Sequence, residues 1–192
     1  MPGHSDYFAM FEFPRKLWIE MGALEQRFLQ LSWKLHPDNF VNATTAEREI
    51  SLKRSSELND AYRTLRDPVA RVEYLLAIEG ARKEGQNKQQ APPELLEEVF
   101  ELNESLDELR EAKASGGDTA GLKHRLETAE KSFEGKLTEV DGELQTAAHE
   151  WDSALESGDS AKLQTIKNKL NDLLNRRSYI RNLVVNVQKE LL

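Results

Sequence analysis

The sequence predicts an all-α protein, with a four-helix N-terminal unit over residues 1–80, a linker over 81–93 and a three-helix antiparallel bundle over 94–192. Three observations predict it. Apolar residues recur at spacings of three and four through most of the chain, the signature of one buried helix face. Charged residues make up 31% and hydrophobic ones 39%, with only 10 Gly and 6 Pro, a balance that suits solvated amphipathic helices better than strands and tight turns. No alternating strand pattern or solenoid repeat interrupts this periodicity.

The elements follow in order. Tyr7, Phe8, Phe11 and Phe13 lead into a short helix expected around Lys16 to Ile19. Met21, Leu24, Phe28, Leu31 and Leu35 form the apolar face of a second helix, which Pro37 ends because proline lacks the N–H that the next turn needs. A loop carrying Asn42, Thr44 and Thr45 opens a third helix from about Ala46 to Leu65, with Leu58, Ala61, Tyr62 and Leu65 on its inner face. In the fourth, Asp67 caps and Pro68 takes the first helical position, so that Val69, Val72, Leu75 and Leu76 can reach the core.

GARKEGQNKQQAPP, residues 80–93, has no apolar period and closes on two prolines, which marks it as the linker. The first bundle helix runs from about Pro93 to Ala114 on a stripe of Leu95, Val99, Leu102, Leu106 and Leu109, and Ser115-Gly116-Gly117-Asp118 stops it. The second keeps register through Leu122, Leu126, Ala129, Phe133, Leu137, Val140, Leu144, Ala148, Trp151 and Leu155 to a stop at Ser157-Gly158-Asp159. The last carries Ile166, Leu170, Leu173, Ile180, Val184, Val187 and Leu191 on one side. Short connections between three such helices imply antiparallel packing.

Composition narrows the function. With zero Cys there is no disulfide framework and no thiolate site for zinc or an iron-sulfur cluster. A formal charge of -8 argues against nucleic-acid phosphates and for neutral or basic protein partners. MPGHSDYF lacks the charged, apolar and cleavage regions of a signal peptide, and no apolar run reaches membrane-spanning length, so the expectation is a cytoplasmic protein with no membrane partner.

The most distinctive short stretch is KLHPDNF, Lys34 to Phe40. His36 and Asp38 do not make a metal site, because no further cluster supplies three or four convergent ligands. Nor do they make a catalytic dyad, since no nucleophile elbow, Cys or Gly-rich phosphate cradle accompanies them. A plain helix stop is the simplest alternative. Position argues for more: the tripeptide follows an amphipathic helix, opens a long polar loop and precedes a third helix ending in NDAYRTLRDP. This constellation resembles a J-domain, the module of DnaJ-class co-chaperones, and the resemblance implies that His36, Pro37 and Asp38 dock on a DnaK-type ATPase and stimulate it. Proline stiffens such a loop, so less ordering entropy remains to be lost on binding, and Asp38 can accept a bidentate guanidinium. Arg27 and Lys34, seven positions apart on one side of the second helix, can meet acidic groups on the same partner or serve as plain solvated surface. Two departures stand out: Asn39 occupies a position where many J-domains have lysine, and the second helix is less basic than in general-purpose J-proteins. Trp33 lies about half a turn from the Leu24, Phe28 and Leu31 stripe.

The C-terminal part sharpens the resemblance. DYFAMFEFP, LNDAYRTLRDPVARVEYLLAIEG and the three-helix block together resemble the HscB (Jac-type) co-chaperones of iron-sulfur cluster assembly over nearly the whole chain. The residues of the first bundle helix are unusual in their own right. Leu96 and Phe100 lie about 100 to 140° from its packing stripe, and Glu97, Glu101, Glu104 and Glu108 form a continuous acidic edge beside them. These groups either serve a basic partner with apolar contacts or are a solvated face with two residues packed on the N-terminal unit. The resemblance implies the former: a surface for the IscU-type scaffold protein made by Leu96, Phe100, Glu101 and Glu104, with Tyr179 from the last helix. Glu97 departs from it, standing where relatives often have methionine.

The expected protein is thus no enzyme and needs no cofactor or metal. It stimulates ATP hydrolysis by a DnaK/HscA-type chaperone and brings it the scaffold. A J-domain protein with another client and a purely structural helical module are the alternatives.

Overall fold

The computed structural model describes residues 6–35, 44–82 and 92–192, and all regular structure among them is helical. In chain order the helices are α1 (Tyr7–Met10), α2 (Met21–Lys34), α3 (Thr45–Arg66), α4 (Pro68–Ile78), α5 (Leu96–Ser115), α6 (Ala120–Ser157) and α7 (Ser160–Leu191), with a 3₁₀ turn at Pro93–Leu95. They fall into two packing units, one of residues 1–82 with 148–168 and one of residues 83–147 with 169–192. The grouping thus adds 148–168, from the end of α6 and the start of α7, to the four N-terminal helices instead of to the expected bundle.

Local sequence sets the helix ends. Thr44 and Glu47 form a reciprocal capping box at the start of α3, and the Asp67 carboxylate accepts from the Ala70 N–H at the start of α4. Four helices stop in the same way, with a residue in the left-handed region followed by an N–H that reaches back five residues: Phe13 to Phe8, Ala81 to Leu76, Gly117 to Ala112 and Asp159 to Ala154. The left-handed residue is glycine at 80, 116 and 158, where a side chain would be strained, but at the end of α1 it is Glu12, with φ of 55°.

In the first unit α2 packs on α3, α3 on α4 and α1 on α3. Phe28 stacks on Tyr62 with ring centroids 4.2 Å apart, and the Ser51 hydroxyl donates to the Leu35 carbonyl at 3.2 Å. Of the α2 stripe only Leu24 is fully buried; Phe28, Leu31 and Leu35 are half-buried and Met21 is exposed.

The sequence reading is wrong about the first helix. α1 occupies Tyr7–Met10, capped by Asp6, and Lys16 to Ile19 is not helical. Side chains explain why. The Leu17 and Trp18 N–H groups donate to the two oxygens of Asp152 at 2.7 and 2.9 Å, Trp151 Nε1 donates to the Arg15 carbonyl at 2.9 Å, and Arg71 donates to the Leu17 carbonyl at 2.6 Å. These bonds take the backbone groups that a helix would have paired internally. Leu17 and Ile19 then turn into the core with Phe8, Phe11, Leu75 and Leu76.

Arg71 is 4% exposed, and its guanidinium also donates to the Leu65 carbonyl at 2.6 Å and the Arg66 carbonyl at 3.5 Å. Burial lowers its pKa, while Asp67 and Asp152 act in the opposite direction. Burial pushes the Asp152 carboxyl above its ordinary range, although the two N–H donors favour its ionised form. An ion-pair chain encloses this strap: Asp6 to Arg15, Arg15 to Glu79 and Glu79 to Lys167, each at 2.7 Å.

In the second unit, ion pairs and hydrogen bonds define the helix directions. Glu98 meets Lys136 at 3.0 Å and Glu108 meets Arg125 at 3.3 Å, so α5 and α6 run antiparallel. Asp141 meets Arg177 at 2.6 Å and Glu130 meets Gln188 at 2.7 Å, so α6 and α7 also run antiparallel. Glu94 with Arg176 and Arg110 with Glu190 make α5 and α7 parallel. The α5 stripe of Leu95, Val99, Leu102, Leu106 and Leu109 is buried throughout, as its spacing predicts. On α6 the buried set includes Leu126, Phe133, Val140, Ala147 and Ala154, each seven residues after the last, so the seam keeps a heptad period. Ala147 and Ala154 therefore take the places that the helical count assigned to Ala148 and Leu155, which are half-buried.

Replacing Arg71 with Met should leave the Leu17 and Leu65 carbonyls without their donor and cost roughly 2–4 kcal/mol. Arg63→Met, which breaks an exposed pair with Asp60, should stay within about 0.5 kcal/mol. Urea denaturation of the two variants side by side measures the contrast. The Glu79 carboxyl is held below its ordinary range by hydrogen bonds from Lys167 and Arg15, although burial opposes them. Its stabilising contribution is therefore complete above the unfolded-state pKa and is lost as pH falls through the folded one. Glu79→Gln should lower the urea midpoint at pH 7 and shrink the difference between the midpoints at pH 7 and pH 3.

Candidate functional site: an exposed apolar and acidic face on α5

The 3₁₀ turn from Pro93 places Leu95 inward and lets α5 start with Leu96 already outside. With Leu95, Val99 and Leu102 fixed in the core, 100° per residue carries Leu96 and Phe100 away from it. They are 56% and 71% exposed. Glu97, Glu101 and Glu104 are exposed beside them. The fourth member of the acidic row, Glu108, is exposed too but pairs with Arg125 of α6 at 3.3 Å. The neighbouring Glu94 and Glu98 are likewise paired, with Arg176 and Lys136. The acidic edge thus divides into carboxylates that tie α5 to its neighbours and three that border the two apolar groups.

Tyr179 comes to the same end of this unit. Residue 176 lies opposite 94 and 190 opposite 110, offsets of 82 and 80, which sets Tyr179 level with residues 97–99 of α5. On the helical wheel Tyr179 falls about 20° from Glu190, the residue that α7 turns toward α5. On α5, Arg110 marks the side facing α7, and Leu96 and Phe100 fall about 40 and 80° further round, toward solvent. Tyr179 is half-buried, and desolvation raises its phenol pKa. Tyr179 therefore lies at the same end of the bundle as Leu96 and Phe100, whereas Glu101 and Glu104 fall about 180 and 120° from Arg110, on the side of α5 turned away from α7.

The other predicted surface is described only in part. His36, Pro37 and Asp38 lie outside the described residues. Lys34 is exposed at the C-terminal end of α2, where a cation is favoured by the helix dipole. Arg27 is half-buried and turned inward: its guanidinium donates to the Phe11 carbonyl, sits 4.5 Å over the Phe13 ring and lies 3.7 Å from a Glu12 oxygen. It fastens the end of α1 to α2, a duty that helical spacing does not reveal. Trp33 is 79% exposed and Leu29, one turn before it, is 60% exposed. Among the described residues there is no group of three or more His, Cys, Asp or Glu side chains arranged to hold a metal, and no helix long and apolar enough to cross a membrane.

No protein-family model matches the chain. Solved structures do. All-α co-chaperones share this arrangement of helices from end to end. The chaperone HscB from Vibrio cholerae is similar over 96% of this chain and 96% of its own, with a TM-score of 0.61 and 24% identity. The human co-chaperone protein HscB is similar over 98% of this chain and 83% of its own, with a TM-score of 0.66 and 24% identity. The chain has the HscB fold, the fold that its sequence motifs resemble.

Leu96→Ser and Phe100→Ser together should leave the urea midpoint close to wild type, because both side chains are already in water. Leu102→Ala, two residues further along but fully inside, should cost about 2–5 kcal/mol.

Proposed function

We propose that the protein is a co-chaperone of iron-sulfur cluster assembly that stimulates ATP hydrolysis by a DnaK/HscA-type chaperone and delivers an IscU-type scaffold protein to it. The observation that carries this reading is the exposure of Leu96 and Phe100 among Glu97, Glu101 and Glu104, on a chain with the HscB fold. Two large apolar side chains at this exposure gain nothing from folding, whereas a partner that covers them releases their hydration and meets the carboxylates with basic groups.

In this reading residues 1–80 act as the J-domain, 81–93 as the linker and 94–192 as the scaffold-binding bundle. His36, Pro37 and Asp38, with Lys34 and Arg27, address the chaperone. Arg27 serves there mainly by holding Phe11 and Phe13 against α2. Leu96, Phe100, Glu101, Glu104 and Tyr179 address the scaffold. Glu97 adds charge where relatives often have an apolar contact, which makes this face more dependent on basic groups in its partner. The protein carries no cofactor and performs no chemistry itself; phosphoanhydride hydrolysis takes place in the chaperone. It works in the cytoplasm and binds neither nucleic acid nor membrane, in keeping with a net charge of -8.

Single-turnover ATP hydrolysis by the cognate chaperone should rise when the protein is added, and Asp38→Asn should abolish the rise. An unchanged rate with wild type would sink the J-domain reading. Scaffold pull-down should fail with Leu96→Ser/Phe100→Ser, and normal capture by that variant would place the scaffold surface elsewhere.

A further inference from the structure

We propose that Ser51 is a positioning residue for His36, Pro37 and Asp38: from α3 it holds the Leu35 carbonyl and so sets the direction in which the chain leaves α2. The proposal rests on the J-domain reading and names a buried residue that serves it through the backbone.

Ser51 is out of place for a residue chosen by packing alone. It stands seven positions before Leu58 and fourteen before Leu65 on the buried face of α3, and it is 5% exposed where they are 2% and 0%. Its neighbours Ile50 and Leu52 are large and apolar, yet they are 52% and 58% exposed. A small polar residue thus fills the core position, with aliphatic ones in water on either side. A hydroxyl is buried without cost only where it is hydrogen-bonded.

The bond it makes sets it apart within this chain. Ser115, Thr128, Thr138, Thr146, Ser153 and Thr165 each donate to the carbonyl four residues back in their own helix, the ordinary outlet for a helical hydroxyl. Ser51 donates instead to the Leu35 carbonyl, sixteen residues back and at the end of another helix, at 3.2 Å.

That carbonyl is the last backbone group before His36. Leu35 is the C-cap of α2, with φ of -96° and ψ of 4°, and its N–H closes the final turn on the Leu31 carbonyl at 3.0 Å. Its own carbonyl lies beyond the helical ladder and takes a donor from α3. A peptide group is planar, so a bond that fixes one residue's carbonyl also fixes the plane in which the next residue's nitrogen and Cα lie. Seven residues earlier, Phe28 stacked on Tyr62 already holds α2 against α3. Ser51 repeats this tie where the helix ends. A chain launched in a fixed direction loses less entropy on docking, which adds to the stiffness that Pro37 supplies. Without the hydroxyl, the Leu35 carbonyl must turn to water for a donor, and the chain that follows turns with it.

Single-turnover ATP hydrolysis by the cognate chaperone, measured against the concentration of the full-length protein, separates docking from stimulation. Ser51→Ala should raise the half-saturating concentration about fivefold and leave the rate at saturation within about twofold of wild type, since one neutral hydrogen bond is lost and the docking residues are intact. Ser51→Thr keeps the hydroxyl and should stay within about twofold of wild type in both. Val72→Ala, which opens a cavity in the α4 core, should lower the urea midpoint at least as far as Ser51→Ala yet leave half-saturation unchanged. Half-saturation by Ser51→Ala within about twofold of wild type, with Asp38→Asn still inactive, overturns the proposal and leaves the J-domain reading intact. Equal weakening by Ser51→Ala and Ser51→Thr makes the shape of the side chain the cause, and equal weakening by Val72→Ala makes lost stability the cause; either overturns the proposal. No stimulation by wild type overturns the J-domain reading and the proposal with it.

Discussion

The N-terminal unit depends on a strap of backbone, residues 15–18, that has no regular structure and is held by three side chains. Arg71 takes the Leu17 carbonyl, Trp151 the Arg15 carbonyl and Asp152 the N–H groups of Leu17 and Trp18. An unpaired backbone group at such a site is costly, so the strap can lie against the core only because these donors and acceptors are in place. Arg71 also draws in the carbonyls of Leu65 and Arg66, and so fastens the strap to the α3–α4 corner. Leu17 and Ile19 then reach the interior, and the chain enters α2 in a defined direction. Two of the three clamping residues lie more than 130 positions downstream, which is why 148–168 packs with the N-terminal helices.

Charge has two different jobs in the second unit. Glu94, Glu98 and Glu108 of α5 are matched by Arg176, Lys136 and Arg125, pairings that fix the direction and register of the bundle more than its stability. Glu97, Glu101 and Glu104, one to four positions away, are exposed beside Leu96 and Phe100. A single helix with eight acidic residues and two basic ones over Glu94 to Ala114 can thus be both a well-tied component and a charged surface, because Arg and Lys side chains of α6 and α7 reach some of its carboxylates.

The same geometry explains what could be read in advance at the site. Leu96 and Phe100 were legible as surplus groups once the stripe of Leu95, Val99, Leu102, Leu106 and Leu109 was recognised, since the two sets cannot share a face. Tyr179 was legible only as a residue off its own stripe. Its place level with residues 97–99 follows from the Glu94–Arg176 and Arg110–Glu190 pairs, and no spacing within α7 contains that information. Arg27 shows the reverse: its spacing from Lys34 marked it as surface, whereas Phe11, Phe13 and Glu12 engage it from another element.

By itself the sequence determined the helical class, the α5 core stripe, the Asp67-Pro68 start of α4 and the glycine stops at 116 and 158, because periodicity and capping act within a few residues of one another. It missed α1 at Tyr7–Met10 and placed a helix at Lys16 to Ile19, where the backbone is satisfied instead by Arg71, Trp151 and Asp152. It also placed Ala148 and Leu155 where the seam takes Ala147 and Ala154, since a packed long helix follows a period of 3.5 rather than 3.6. Only tertiary structure decided these points: each depends on a partner that lies far away in the chain, and neither propensity nor spacing carries the identity of such a partner.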